Sequence, residues 1–249
     1  MNTTNNTILI IGSSAGIGLS MAKQLSASGN HVIMTGRNEA NLLKAAAPLK
    51  NVTAIVCDVT SEADVDQLIS RVEKEFPNLN VIINNAGHAV VYSLASGADT
   101  YQNAKDEMET NFFSIARIND KILPLLSKQK EAAIVNVSSV VALVPGNLPT
   151  YSASKAALHS YTLSLRHTLA DTNIKVFELM PPLVNTEFSA PIGGANGISP
   201  DEVAEHFIKG FAEDTYEIHS GKTAFIYDLF RKSPEEAFAA LNAGRAPIQ

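Results

Sequence analysis

The feature of this sequence that most constrains its fold is a repeated alternation between short β-branched runs and longer segments with helical spacing. Six runs are almost wholly apolar, which is typical of parallel strands that are covered on both faces. They are residues 7–11, 31–35, 53–57, 81–84, 133–137 and 175–179. The pattern therefore predicts parallel strands that are separated by helices.

The segments around these strands have apolar residues at helical intervals. The clearest are residues 18–28, 61–76, 103–128 and 152–170. Ser61 and Asp64 have the spacing of a helix-capping box. Strands that alternate with helices in this way predict an α/β protein with a Rossmann fold, in which a doubly wound parallel sheet of six or seven strands carries helices on both faces. No linker or repeat divides the chain, so we expect a single domain over residues 1–249.

Composition excludes several classes of protein. Apolar residues make up 45% of the chain and charged residues 18%, which provides for a core and excludes global disorder. The net charge of −6 argues against a nucleic-acid partner. The lone Cys57 cannot form an internal disulfide, and its apolar surroundings predict a buried side chain rather than a reactive thiol. The six histidines have no metal-site spacing, so we expect no catalytic metal.

The chain has no features of membrane insertion or export. Its first seven residues are polar and do not resemble a signal peptide, and no apolar run approaches the length of about 20 residues that a spanning helix needs. We therefore expect a cytoplasmic protein without a membrane partner.

The last third of the chain changes character after Thr186. A glycine-rich loop covers residues 186–199, and its Phe188, Ile192 and Ile198 are consistent with an apolar lid or with a surface loop. Serine-proline pairs at 199–200 and 233–234 then predict helix starts. We expect two or three helices here and no strand. The apolar cluster at 225–230 predicts core packing or a subunit contact.

The turn after the first strand has the chemistry of a nucleotide site. It reads Gly12-Ser13-Ser14-Ala15-Gly16-Ile17-Gly18 and opens directly into a helix. Gly12 permits the tight turn, Gly16 lets the backbone approach a pyrophosphate, and Gly18 allows close packing. The helix N-terminus then offers free N–H groups to phosphates. The sequence predicts a dinucleotide cofactor at this turn.

The end of the second strand bears on which dinucleotide is bound. It carries Arg37 and Asn38 where an acidic residue would hold a ribose 2′-hydroxyl. Arg37 can clamp a 2′-phosphate, so the sequence favours NADP(H) over NAD(H). The alternative is that Arg37 is only a solvated loop residue.

Tyr151 and Lys155 carry the predicted chemistry. They are four residues apart, which places them on one face of a helix. A nearby ammonium lowers the pKa of a phenol, and such a tyrosine can exchange a proton with a carbonyl or alcohol oxygen. The serine pair Ser138-Ser139 precedes them.

Together these segments resemble the short-chain dehydrogenase/reductase family over about residues 7–190. The matching pieces, in family order, are the glycine turn, Asp58-Val59, Asn84-Asn85-Ala86-Gly87, Asn111, Ser139, Tyr151-x-x-x-Lys155 and the segment from Pro181 to Thr186. Two departures are Ile11 before the first glycine and Pro181-Pro182 where the family has Pro-Gly, which should stiffen the following loop. The double proline and the tail pattern resemble the oxidoreductase subgroup of D-alanine-transfer operons.

The resemblance assigns catalytic roles. Tyr151 would be the acid/base, Ser139 would bind the substrate oxygen, and Lys155 would hold the nicotinamide ribose. Asn111 would bind a water in a proton relay to Lys155. Ser138 stays open as the alternative serine. His88 is open between a contact to substrate or cofactor and a loop residue without a task.

The resemblance also assigns cofactor contacts along the chain. Residues Gly12, Ser13, Ser14, Gly16, Ile17, Gly18, Arg37 and Asn38 would hold the phosphates. Asp58 and Val59 would hold the adenine, and Asn85, Ala86 and Gly87 would run beside the adenosine ribose. Pro181, Val184 and Thr186 would pack on or touch the nicotinamide.

The function that these residues predict is an NADPH-dependent carbonyl reductase that reduces a ketone or aldehyde to an alcohol. The alternatives are an NAD-linked alcohol dehydrogenase and a regulator that senses NADP(H) without turnover. The family commonly dimerises through its long helices, here near 103–127 and 152–170, so we expect a homodimer.

Overall fold

Seven parallel strands form one sheet in the computed structural model, which describes residues 1–244 with the exception of the Ser96 side chain. Residues 245–249 of the expected domain lie outside the described residues. The strands run in the order β3-β2-β1-β4-β5-β6-β7. They are β1 (Thr7–Ile11), β2 (His31–Gly36), β3 (Val52–Val56), β4 (Leu79–Asn84), β5 (Ala132–Val137), β6 (Ile174–Met180) and β7 (Glu217–His219). This order confirms the predicted doubly wound α/β fold.

Helices connect the strands and cover both faces of the sheet. Within residues 1–244 they are α1 (Gly16–Ala27), α2 (Glu39–Ala46), α3 (Glu62–Glu75), α4 (Thr100–Met108), α5 (Ser114–Leu126), α6 (Pro149–Thr168), α7 (Pro200–Ala212), α8 (Thr223–Lys232) and α9 (Pro234–Asn242). The predicted N-caps are confirmed, because Ser61, Ser199 and Ser233 each accept a hydrogen bond from a backbone N–H of the first helical turn.

The core lies in two layers, one on each face of the sheet. In β1, Ile8 and Ile10 belong to one layer, and Leu9 and Ile11 to the other. Since successive side chains of a strand point to opposite faces, a strand that is covered on both sides must be apolar throughout. This is the physical reason for the apolar runs in the sequence.

Cys57 lies in one of these layers, as predicted. Its side chain is buried, and burial, with smaller contributions from Asp64 and Asp58, raises the pKa of its thiol to about 12. The thiol is therefore protonated at neutral pH and unreactive.

The expectation that the C-terminal segment contains no strand is wrong. Residues Glu217–His219 form β7, which pairs in parallel with β6 and places Ile218 opposite Leu179. The strand is three residues long and buries Ile218 between two polar neighbours, so it leaves no periodicity in the sequence. The three helices α7, α8 and α9 agree with prediction, and Ile226 of α8 packs into a small core cluster with Val140.

Strand order fixes where a site can form. The chain reverses direction across the sheet between β1 and β4, which are adjacent. In open α/β sheets, ligands bind at the carboxyl ends of the strands beside such a reversal. The glycine turn after β1, the segment after β4 and the serine pair after β5 all lie at this edge.

Candidate active site

The glycine turn has the shape and the free donors that a pyrophosphate needs. Gly12 has a φ of +77°, and a Cβ there would lie 2.7 Å from the Cα of Ala86. A Cβ on Gly18 would clash with the carbonyl oxygen of Gly12. Helix α1 begins at Gly16 without a side-chain cap and without an acidic residue in its first turn. Its N–H groups and positive dipole end are thus free for an anion.

The side chains of the turn divide between the interior and the groove. Ser13 is fully buried, and its Oγ accepts a hydrogen bond of 3.0 Å from the backbone N–H of Thr35. Ile17 packs against the core. Ser14 lies near the end of β2, where its Oγ would be 3.2 Å from a Cβ placed on Gly36. The expected contact of the Ser13 side chain with a cofactor is therefore not available, since its hydroxyl ties the turn to β2.

Arg37 and Asn38 follow β2 and differ in what they are free to bind. Arg37 is exposed, and among the described residues it makes neither an ion pair nor a hydrogen bond. The Asn38 side chain instead caps α2 by accepting a hydrogen bond of 2.9 Å from the N–H of Asn41. Arg37 can therefore reach a phosphate, whereas the Asn38 carbonyl is already used by the fold.

Asp58 and Val59 lie just beyond the carboxyl end of β3. The Asp58 carboxylate accepts hydrogen bonds from the backbone N–H and the hydroxyl of Thr60, at 3.0 and 2.8 Å. The Val59 side chain is buried in the core. A base at this place would meet the Asp58 carboxylate and the backbone of Val59.

The segment after β4 is tied to the glycine turn. Asn85 donates a hydrogen bond of 2.5 Å from Nδ2 to the carbonyl oxygen of Gly12. Ala86 lies against Gly12, and Gly87 is exposed beside them. The structure thus brings these three residues to the groove that the turn opens.

Three of the predicted catalytic side chains meet at the end of β5. Helix α6 carries Tyr151 and Lys155 one turn apart, and Lys155 Nζ is 5.7 Å from the centroid of the Tyr151 ring. Lys155 Nζ donates a hydrogen bond of 2.9 Å to the carbonyl oxygen of Val137. The hydroxyl of Ser139, two residues further along, donates to the carbonyl of Pro181 at 3.5 Å and is near enough to the Tyr151 hydroxyl to act on its pKa. A carbonyl oxygen could contact both hydroxyls here.

The expectation that Lys155 lowers the pKa of Tyr151 is not met. Burial raises the pKa of the Tyr151 phenol above its ordinary value, the hydrogen bond with Ser139 opposes this, and the charge of Glu107 adds to it. Burial also lowers the pKa of Lys155 to about 8, against the opposing charge of Glu178. Desolvation is therefore the largest influence on the pKa of both groups.

The two adjacent serines point to different partners. Ser138 Oγ donates a hydrogen bond of 2.5 Å to Glu178, which lies behind the site on β6. Ser139 caps a short 3₁₀ turn by accepting a hydrogen bond of 3.3 Å from the N–H of Val141, and its hydroxyl reaches Tyr151. The structure brings Ser139, and not Ser138, to the tyrosine.

Asn111 lies in a π-helical turn, Glu109–Phe113, between α4 and α5. Its Oδ1 accepts a hydrogen bond from the N–H of His88, and its Nδ2 donates to the carbonyl of His88 and to Ser154 Oγ, all at 2.8–2.9 Å. A π-turn widens a helix locally, and such turns are frequent at functional sites. Asn111 thus anchors the backbone of the loop after β4 to α6, beside Lys155.

The loop after β6 returns over the glycine turn. Pro181 follows the last residue of β6, and Thr186 stands close to Gly16, where a Cβ would lie 3.2 Å from the Thr186 methyl group. Val184 is buried and pairs with Ile198 in a short parallel bridge. Thr186 therefore borders the groove, whereas Pro181 and Val184 are buried.

Phe188 is the member of the predicted lid that reaches the site. Its ring centroid is 5.9 Å from that of Tyr151, and 47% of its surface is exposed. Ile198 packs against the core instead. Phe188 provides an apolar wall next to the tyrosine hydroxyl.

Comparison with known proteins agrees with this geometry. The family described as short chain dehydrogenase matches residues 6–196. The chain belongs to the short-chain dehydrogenases.

Relatives of this short-chain dehydrogenase extend the match beyond those residues. The oxidoreductase DltE of Bacillus subtilis (strain 168) is 40% identical and covers 97% of this chain and 98% of its own length. A fatty acyl-CoA reductase of Acinetobacter baylyi (strain ATCC 33305 / BD413 / ADP1) is 30% identical over 90% of this chain and 80% of its own length. The protein is thus an oxidoreductase of this family, and the resemblance to the D-alanine-transfer-operon subgroup is supported.

A solved structure shares the fold. The short chain dehydrogenase from Burkholderia cenocepacia J2315, in complex with NADP, superimposes with a TM-score of 0.86 at 24% identity, and covers 97% of this chain and 99% of its own. Among the residues described for the present dehydrogenase, no helix is long and apolar enough to cross a membrane. Nor do residues 1–244 hold a cluster of three or more metal-ligating side chains.

Two buried carboxylates near the site escaped the sequence analysis. Glu107 is fully buried on α4 and accepts a hydrogen bond of 2.8 Å from the N–H of Val90. Glu178 is fully buried on β6 and is bound by Ser138 and His159. A signal existed for Glu178, because a glutamate interrupts the otherwise apolar end of a predicted strand. Glu107 gave no such signal, since its neighbours in the sequence are polar.

Proposed function

We propose that this dehydrogenase is an NADPH-dependent carbonyl reductase that converts a ketone or aldehyde into an alcohol. The observation that carries the proposal is the meeting of Ser139, Tyr151 and Lys155 at the same sheet edge as the glycine turn. A nicotinamide cofactor bound there would supply the hydride. The relative that bears the name fatty acyl-CoA reductase is in keeping with a reductive reaction.

Tyr151 is in the form that carbonyl reduction needs. Its phenol is protonated at neutral pH, so it has a proton to donate to a carbonyl oxygen. As the carbonyl oxygen gains negative charge, Ser139 and Tyr151 both hydrogen-bond to it, and Tyr151 transfers its proton. The Lys155 ammonium then stabilises the phenolate that remains.

The residues around the glycine turn offer the groups that a dinucleotide needs. The free N-terminus of α1 and the backbone of the glycine turn would hold the pyrophosphate, and Arg37 with Ser14 would hold a 2′-phosphate. Asp58 and the Val59 backbone would meet the adenine, and Asn85, Ala86 and Gly87 the adjoining ribose. Lys155 would hold the nicotinamide ribose, and Pro181 and Thr186 would border the nicotinamide.

The proposed activity is tested by following NADPH oxidation with a panel of aliphatic, aromatic, steroidal and β-keto carbonyl compounds. We expect turnover with at least one class. Tight NADPH binding with no turnover across the panel would contradict the reductase and favour the sensor.

Arg37 should set the preference for NADPH. In Arg37→Ala, we expect the KM for NADPH to rise about 10–100-fold, the worth of one charged hydrogen-bonding group, with little change in the KM for NADH. Steady-state kinetics with both cofactors measure this. Arg71→Ala is the matched control, because Arg71 is an exposed residue of α3 that pairs with Glu75. Equal effects of Arg37→Ala on the two cofactors would refute the assignment.

We also propose that the enzyme is a homodimer that assembles through α5 and α6. Phe113, directly before α5, and Leu163 on α6 expose 47% and 40% of their surfaces, and a second chain packed against these helices would cover both side chains. Light scattering should give the mass of two chains. A monomer or a stable tetramer would contradict this assembly.

A further inference from the structure

A carboxylate is buried directly behind the proposed site. Glu178 is fully buried on β6, between Asn136 of β5 and Glu217 of β7 in the sheet register. Burying an ionised carboxylate is costly unless it is paired and hydrogen-bonded. The hydrogen-bond partners of Glu178 therefore indicate the role of its negative charge.

Both partners of Glu178 adjoin the proposed catalytic residues. One carboxylate oxygen accepts a hydrogen bond of 2.5 Å from Ser138, the residue before Ser139. The other lies 2.8 Å from Nδ1 of His159. His159 follows Lys155 by four residues on α6, so both side chains lie on one face of that helix, as does Tyr151.

Lys155 has no carboxylate as a direct neighbour. Its side chain is buried, its Nζ donates to the carbonyl of Val137, and no carboxylate of the described residues lies within 4.0 Å of it. Burial works against its positive charge, and the negative charge of Glu178 works for it. The two groups bind adjacent residues of one chain segment, because Lys155 Nζ donates to the carbonyl of Val137 and Glu178 accepts from Ser138. The charge of Glu178 thus acts on Lys155 through the protein interior, where charges are weakly screened.

We propose that Glu178, held in place by Ser138 and His159, is a positioning residue that keeps Lys155 in its ammonium form. The hydrogen bond to Ser138 also holds the chain that presents Ser139 to Tyr151. This role rests on the proposed function, in which Lys155 holds the nicotinamide ribose and supports Tyr151.

Other charged groups surround Glu178 and His159 and influence the charge that Lys155 experiences. The hydrogen bond to Glu178 raises the pKa of His159, Glu217 adds to this, and Arg166 opposes it. Arg166 is itself paired with Glu217 at 3.1 Å, and burial lowers the pKa of the nearby His219. A protonated His159 offsets part of the Glu178 charge, so it weakens the support that Lys155 receives.

The test is the pH dependence of Glu178→Gln, which removes the charge and keeps the shape. Lys155 is charged below its pKa of about 8 and loses its charge as the pH rises through that value. Without Glu178, that loss should occur about one pH unit lower, the size of a typical effect of a nearby charge. The alkaline decrease in NADPH affinity and in kcat/KM, called here the alkaline limb, should therefore begin at a lower pH than in the wild type. On the alkaline side the variant should be about tenfold below the wild type, and on the acid side only slightly below it.

NADPH fluorescence and initial rates, measured from about pH 6 to pH 10, give the two profiles. Glu178→Asp is the matched control, because it keeps the charge and should keep the alkaline limb near that of the wild type. If the Glu178→Gln profiles had the same pH dependence as the wild type, with the same fractional loss at every pH, the proposal would be overturned. So would an equal shift in Glu178→Asp.

A second variant covers the case in which Glu178→Gln does not fold. His159→Asn can still donate to Glu178 and carries no positive charge, so Glu178 keeps its full effect on Lys155 and the alkaline fall in NADPH affinity should not move to lower pH. A fall that moves to lower pH would overturn the role. NADPH affinity needs no turnover, so failure of the proposed reaction would still leave this shift measurable.

Discussion

Replacing Tyr151 by phenylalanine should lower kcat/KM for carbonyl reduction about 10³-fold, within the range that a general acid contributes. The change removes the hydroxyl near Ser139 and leaves the half-buried ring in place. Because the loss is confined to proton donation, NADPH affinity should stay within about threefold of the wild type. Initial rates and NADPH fluorescence titration separate the two effects.

Tyr161→Phe is the matched control for this variant. Tyr161 lies on the same helix, and its hydroxyl accepts a hydrogen bond of 3.4 Å from Asn119 instead of reaching Ser139. It should therefore retain nearly full turnover. If Tyr151→Phe also retained nearly full turnover, Tyr151 would not be the proton donor.

Replacing Lys155 by methionine should affect both binding and turnover. Methionine fills a similar volume but removes the ammonium that donates to Val137 and would hold the nicotinamide ribose. We expect kcat/KM to fall about 10²–10³-fold, because a hydrogen bond to a charged group and the electrostatic support of Tyr151 are lost together. The KM for NADPH should rise as well, which distinguishes this variant from Tyr151→Phe.

Lys128→Met controls for the loss of one positive charge. Lys128 is exposed just after α5, away from the carboxyl ends of the strands, and should leave the kinetics unchanged. The alkaline limb of the pH profile should disappear in Lys155→Met, since the group that loses its proton there is gone. If the alkaline decrease persisted in Lys155→Met, another residue would be responsible for it.

Much of the fold and several features of the site were predictable because they depend on local rules. Apolar runs become central strands, a serine with an acidic residue three positions later begins a helix, and a turn such as Gly12–Gly18 needs glycine wherever a Cβ would strike backbone. The spacing of Tyr151 and Lys155 likewise implies a shared helix face.

Other features depend on residues that are distant in the chain. Strand β7 is stabilised by pairing with β6 and has too few residues for a pattern of its own. The roles of Ser138 and Ser139 separate only where β5, β6 and α6 meet, because Glu178 takes the hydroxyl of one and Tyr151 that of the other. Asn38 and Ser13 have the side chains of cofactor ligands, yet folding uses them for a helix cap and a strand contact.

The sequence alone determined six of the seven strands, the helices between them, the glycine turn and the shared helix face of Tyr151 and Lys155, since each follows from spacing along the chain. The tertiary structure decided the charge states. Burial shifts the pKa of both Tyr151 and Lys155, and Lys155 is also subject to the charge of Glu178, which is 23 residues away in sequence but beside its helix in space. The free energy of a charge is set by everything packed around it, and that packing exists only in the folded chain.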